Sequence, residues 1–354
     1  MTLNTESIWE EYGFDELQQG LDRLFPAYKF SCNELLERLW QGDLLGCLTG
    51  LMQGGVRGML SHADSLKNIL IWMLVLGLAS SLISHFAEIF DKNQIADLSF
   101  YFLYLLFMTV LLNCFQEAVV VTMQLLENVV LFMKLMIPTY MLAVGVTSGV
   151  GSVSVAYQIM LGLIYIVEHF LQVGVLPLIQ IYTVLIMMNG IWVEEKLSLL
   201  MELFKKAIET MLKAFMGLVT GVSVFQSMFA PVLVTIKSTA LQKIISAIPG
   251  IGNVAEGAME LMLGAAGVIK NSIGILAMLL LLTICTAPLL YIFGMAWVLR
   301  IAAALLGLVS DKRLTACSDQ MGEACMLLFR TALSATVLFL ISISVIALTT
   351  TKGV

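Results

Sequence analysis

Apolar residues run along this chain in long blocks separated by short polar punctuation, and the blocks exceed what a buried helix of a water-soluble domain requires. The clearest extends from Ile273 to Leu299 without an acid or a base. That is about 27 residues, against the roughly 20 that cross a hydrocarbon core about 30 Å thick. It predicts a membrane-spanning helix, tilted or bent near Pro288 and closed by Arg300. Similar blocks predict spans at 67–90, 98–122, 124–147, 214–236 and 331–349.

The block at 153–193 is interrupted by Glu168-His169, Gly174 and Pro177. At about 41 residues it is too long for one ordinary span, so two short helices meeting near those residues are expected. The span at 124–147 carries Glu127, Lys134 and Pro138 and runs out into Gly145, Gly149 and Gly151, a bend too permissive to stay rigidly helical. Asn113 and Glu117 fall four apart and share a face of the preceding span. Glu117, Glu127 and Lys134 either line a polar path inside the bundle or snorkel from helix ends.

Residues 244–270 carry acids only at Glu256 and Glu260, and contain the Pro249-Gly250-x-Gly252 break. Gly264, Ala265, Ala266 and Gly267 leave little side chain between this backbone and a neighbouring helix. A Pro-Gly break in apolar surroundings needs protein or water to satisfy the freed backbone groups. The segment therefore reads as a re-entrant element folded against the bundle or as an amphipathic connector on its surface. Lys270-Asn271 separates it from the span that follows.

Two stretches change period. In residues 194–213 one helical face is Leu200, Leu203, Phe204, Ile208, Met211 and Leu212, and the other is charged, which predicts an amphipathic interfacial helix. Residues 1–66 form an acidic, amphipathic helical N-terminal region with stripes such as Trp9, Leu17, Leu21 and Leu35, Leu39, Trp40. The expected architecture is all-α: a polytopic transmembrane bundle of about seven or eight spans over residues 67–350, preceded by that region. No basic start followed by an apolar core is visible in the first 25 residues. Either the first span directs insertion or an original leader has been removed.

Composition agrees with the pattern. The chain is 59% hydrophobic and 12% charged, against soluble norms of about 45–50% and about 25%. Its net charge of −6 resides in the head, with ten acids and four bases through Asp64 and fifteen of each thereafter. Nothing there attracts nucleic acid. Lys196, Lys205, Lys206 and Lys213 in one loop and Arg300, Lys312, Arg313 and Arg330 in another fall on the same side, the cytoplasmic one, of an eight-span chain with both termini outside.

Candidate chemistry is sparse. Six cysteines form no C-x-x-C pair, and no His sits at ligand spacing, so no metal or cofactor is expected. H-E-x-x-H, G-x-S-x-G and paired intramembrane aspartates are missing from the sequence, and no catalytic residue is assigned. Glu168 beside His169 has the composition of a proton relay, since imidazole titrates at about pH 6.5. Adjacent residues on a helix nevertheless point in different directions.

Three segments, IPTYMLAVGVTSGVGSVSVAYQ (137–158), AIPGIGNVAEGAMELMLGAAGVIKNSIGI (247–275) and WVLRIAAALLGLVSD (297–311), resemble in order the stage III sporulation protein AE family of endospore-forming bacteria. The resemblance extends over residues 30–350; the family's usual signal sequence is not seen. It implies a non-enzymatic, multi-pass subunit in the mother-cell membrane that faces the forespore. Its implied partners are other proteins of the stage III sporulation A operon, among them an ATPase and ring-forming components, and through them the forespore membrane partner. Together they are thought to form a channel or feeding tube, with this chain contributing by assembly, by lining a path, or as a homo-oligomer. Pro249, Gly250, Gly252, Lys270, Asn271, Arg300 and the Gly145, Gly149, Gly151 bend are the candidate structural or path residues. The competing reading is a stand-alone permease for a small solute, with broken helices at Pro177 and Pro249 and Glu168 or His169 coupling protons.

Overall fold

The computed structural model describes residues 14–24, 34–35, 38, 46, 49, 63–89, 93–148, 150–191, 196–245, 252–308 and 310–349. These form α1 (Phe14–Leu24), α2 (Ala63–Ile89), α3 (Asn93–Ser148), α4 (Val150–His169), a π-helical turn (Phe170–Val175), α5 (Leu176–Ile191), α6 (Ser198–Ile245), α7 (Gly252–Leu306) and α8 (Lys312–Thr349). Among the described residues the architecture is an all-α bundle, as the sequence predicts. Five of its helical runs are long and apolar enough to cross a membrane: 64–83, 100–139, 161–191, 272–306 and 312–344.

Helix boundaries differ from the sequence reading in a consistent direction, towards continuity. Residues 98–147 form parts of one 56-residue helix rather than two. Its buried face explains this. Tyr104, Leu111, Ala118, Leu125 and Phe132 recur every seven residues, each followed four residues later by Met108, Phe115, Thr122, Val129 and Met136, and all are buried. This half-heptad spacing keeps one seam against the neighbouring helices with no register break. Thr122, at the expected boundary, donates its hydroxyl to the Ala118 carbonyl at 2.7 Å and stays in the helix.

Between 150 and 191 two helices, α4 and α5, do meet near Glu168-His169, Gly174 and Pro177, and the junction is helical. Pro177 has no N–H and its ring crowds the carbonyl four residues back, and the chain answers with the π-helical turn. The N–H of Leu176 reaches the Leu171 carbonyl, one residue further back than in an α-helix. An extra residue per turn absorbs the proline without ending the helix. Phe170 in that turn stacks on Phe215 of α6, with centroids 3.9 Å apart and planes at 14°.

Contacts fix the directions. Leu66 lies beside Gly294 and Gly77 beside Leu306, so α2 and α7 run parallel. Arg313 sits over the Phe100 ring and Tyr104 near Cys317, so α3 and α8 run parallel. Ser318 with Leu299 and Ser344 with Met278 make α7 and α8 an antiparallel hairpin. Asn189 with Leu197 and Phe170 with Phe215 do the same for α5 and α6. The end of α5 and the start of α8 thus lie at one end of the bundle, both beside Tyr104.

Side chains hold two helix starts at that end. Asn189 Oδ1 accepts the Leu197 N–H at 2.9 Å, tying α5 to the turn that opens α6. Asp311 Oδ1 accepts the Arg313 N–H at 2.8 Å, capping α8. Asp311→Ala is expected to cost about 1 kcal/mol, read as faster amide exchange in the first turn of α8 with the rest of that helix unchanged. The N-terminal α1 docks on α3: Leu21 is wholly buried, and a Cβ at Gly20 would meet Leu135 Cδ1 at 2.6 Å.

Candidate functional site: an ionic seam between three helices

Glycine sets the geometry of the site. A Cβ at Gly322 would lie 2.8 Å from Arg300 Cγ and 3.0 Å from the Ala296 carbonyl oxygen. Only a residue without a side chain lets α8 approach the α7 backbone this closely. One turn earlier, Ser318 donates its hydroxyl to the Leu299 carbonyl at 2.8 Å, and one residue later Glu323 enters the gap.

Glu323 joins three helices. Its carboxylate accepts a hydrogen bond from the Arg300 guanidinium of α7 and pairs with Lys205 Nζ of α6 at 3.0 Å. The Glu323 side chain is 12% exposed, while Lys205 and Arg300 are 38% and 33% exposed. One buried acid therefore meets two bases that each keep part of their surface outside. Arg300 Nε is buried without a partner, so the guanidinium depends on Glu323 for its compensation. Two turns further along α8, Arg330 donates to Glu209 of α6, continuing the seam. Arg300 and Glu323 both fall inside runs apolar enough to cross a membrane, where an unpaired charge is costly and a paired one acts between helices.

Further polar contacts cross the bundle. Tyr291 of α7 donates to Glu117 Oε1 of α3 at 2.5 Å. Lys134 of α3 and Glu168 of α4 approach to 4.0 Å, with Lys134 53% exposed, a long pair that compensates the two charges only in part. Tyr104 of α3, 1% exposed, donates to the Met187 carbonyl at 2.9 Å. It occupies the space a Cβ at Gly190 would take, since that atom would lie 2.1 Å from the Tyr104 hydroxyl.

Of the residues singled out from sequence, Arg300 stands in the seam. Glu168 faces Lys134, whereas His169 is exposed and stacks on Tyr165 at 5.7 Å, so the two neighbours have different partners. Gly145 and Gly151 lie within the helical backbone of α3 and α4, and Gly252 is the first residue of α7. Gly149, Pro249 and Gly250 lie outside the described residues. Lys270 and Asn271 continue the α7 backbone, and their side chains lie outside those described. Residues 252–270, the larger part of the expected re-entrant segment, are continuous with the 55-residue α7. Residues 198–213 are the first part of the 48-residue α6 and run alongside α8.

The sequence reading counted Lys205 and Arg330 only as loop bases and did not single out Glu323, Glu209 and Gly322. A signal existed in the charges: α6 carries a base then an acid at 205 and 209, and α8 an acid then a base at 323 and 330. Complementary signs in the same chain direction fit two parallel helices. Among the described residues no cluster of three or more His, Cys, Asp or Glu is placed to hold a metal ion. Cys114, Cys285, Cys317 and Cys325 are buried thiols.

The order of these elements can be set beside known proteins. Residues 30–350, spanning α2 to α8 and the whole seam, match the family described as stage III sporulation protein AE. The chain belongs to that family. A curated relative, stage III sporulation protein AE of Bacillus subtilis (strain 168), is 22% identical over 261 residues, covering 73% of this chain and 65% of the relative. The match thus spans a little under two thirds of the relative's length. No solved structure matches the chain. This stage III sporulation protein AE family member is an integral membrane protein by its apolar helices, and Glu117, Lys134, Glu168, Arg300 and Glu323 within them meet partners across helix boundaries.

Proposed function

We propose that this chain is the polytopic, non-enzymatic membrane subunit of an assembly in the mother-cell membrane that faces the forespore. There it works with other proteins of the stage III sporulation A operon and, through them, with the forespore membrane. The family match over residues 30–350 carries this reading. The way the charges are used supports it: Glu323, Arg300, Lys205, Glu209 and Arg330 are committed to holding α6, α7 and α8 together. Groups so committed favour a rigid docking body over a chain that carries a solute by itself.

The test is capture of the tagged, full chain from the source organism at the engulfment stage, in mild detergent, followed by mass spectrometry. Stage III A-operon proteins are expected at levels comparable to the bait, and cells lacking the chain are expected to arrest before mature spores form. The π-helical turn beside Glu168 favours the alternative, a stand-alone permease. Proton-coupled uptake by the purified chain in vesicles, lost in Glu168→Gln and with no operon protein captured, would overturn the assembly reading.

A further inference from the structure

Within the candidate span 100–139, α3 is not apolar all round. Asn113, Gln116, Glu117, Gln124, Glu127 and Lys134 all lie on exposed positions, interspersed with Val120 and Leu131, which are 50% and 41% exposed. Positions 113, 117, 120, 124, 127, 131 and 134 alternate steps of four and three, so they form one stripe on the face opposite the buried seam. The stripe is about 30 Å long, the thickness of a hydrocarbon core. Any window of about 20 residues taken from this span contains Glu117, Glu127 or both. No position of the bilayer along α3 therefore keeps every acid of the stripe out of it.

Lipid is a poor neighbour for such a stripe, because two carboxylates and two amides in hydrocarbon lose their hydrogen bonds to water. Glu117 is partly relieved by the Tyr291 hydroxyl and Lys134 by Glu168. Glu127, Gln124 and Asn113 make no such contact among the described residues. An aqueous path is a poor fit too, since Val120 and Leu131 interrupt the polar positions at the centre of the stripe. Alternating apolar and amide positions at a mean spacing of about 3.5 residues are what one helix presents to another.

We infer that the outer stripe of α3 is the seat of a transmembrane helix from a different polypeptide, one that brings a lysine or arginine to Glu127 and an amide or hydroxyl residue to Asn113. These two positions are about 14 residues, or about 21 Å, apart along the axis, and the partner's polar residues should show the same separation. A second copy of this chain is disfavoured by charge. Copies inserted the same way run parallel, and symmetric pairing about the stripe would set Glu127 against Glu127 and Lys134 against Lys134. The inference rests on the assembly reading above and names the surface through which it works.

A photoreactive amino acid placed at Val120 or Gln124 in the full chain, in sporulating cells, should give an adduct with one membrane polypeptide. The exposed Val184 of α5 should give none with it. The cross-linked helix should carry the basic residue and the amide or hydroxyl at the separation above. Glu127→Lys should lower co-purification of that polypeptide at least about tenfold, and replacing its basic residue by Glu should restore it. If Glu127→Lys does not elute as a single folded species, Gln124→Leu is expected to lower capture about threefold or more. An adduct at twice the mass of this chain, adducts to lipid alone, or capture indifferent to both substitutions would overturn the inference. Operon proteins that still co-purify in those cases would leave the assembly reading standing, whereas their absence from the unmodified chain would sink both.

Discussion

Glu323→Gln is expected to loosen the α6–α7–α8 seam more than any other single change of charge. It removes the one acid shared by Lys205 and Arg300 and leaves a guanidinium whose Nε is already buried without a partner. Breaking a fully buried ion pair costs about 3–5 kcal/mol. Both bases here keep about a third of their surface exposed, and solvent screening lowers the expectation to about 2–3 kcal/mol. The readout is the thiol of Cys325, two residues away on α8 and wholly buried. Its labelling by a maleimide in detergent requires opening of the helix pair, and should accelerate at least about tenfold. Arg300→Ala should do the same, and the double substitution should cost clearly less than the two single effects added. Additive effects would mean that the two side chains do not act through each other.

Gly190→Ala should be the most damaging replacement of a glycine by its nearest neighbour in size. The new methyl would lie 2.1 Å from the Tyr104 hydroxyl and 3.0 Å from Cζ of the same ring. Tyr104 cannot step aside cheaply, because it is 1% exposed and stacked at 5.8 Å on Phe100. The clash therefore breaks its bond to the Met187 carbonyl and separates α3 from α5, at about 2–4 kcal/mol. Tyr104→Phe alone should cost about 1 kcal/mol. Placed together with Gly190→Ala it should recover part of the loss, because the atom in closest conflict is the hydroxyl oxygen. Labelling of Cys317, whose sulfur lies 3.9 Å from that hydroxyl, reports the local opening. A double variant no better than Gly190→Ala alone would place the damage elsewhere.

Many of the contacts that tie the bundle join residues far apart in the chain: Tyr104 and Met187 are 83 residues apart, Glu209 and Arg330 are 121, and Glu117 and Tyr291 are 174. Local sequence pattern carries no information about which partner lies across such a gap. The polar residues themselves were legible. Glu117, Lys134, Glu168 and Arg300 all stood out as charges in apolar runs, and Arg300 was already a candidate for a role. Which of them pair with what was not legible, apart from the complementary signs of 205 and 209 against 323 and 330.

By itself the sequence determined that the chain is helical and built for a membrane, and to which family it belongs. Runs of apolar residues longer than a bilayer is thick have few other folded solutions, because every backbone group in lipid must be satisfied internally. The tertiary structure decided where helices continue, as at Thr122 and through the π-helical turn before Pro177, and which face of each meets protein. Hydropathy could not choose between those faces, because lipid tails are as apolar as a leucine core and both surroundings reward the same residues. On α3, Phe102 and Leu105 are 71% and 62% exposed, while Phe107 and Leu111 are 1% and 0% exposed. Only the packing of α2, α4, α7 and α8 against that helix separates the two pairs.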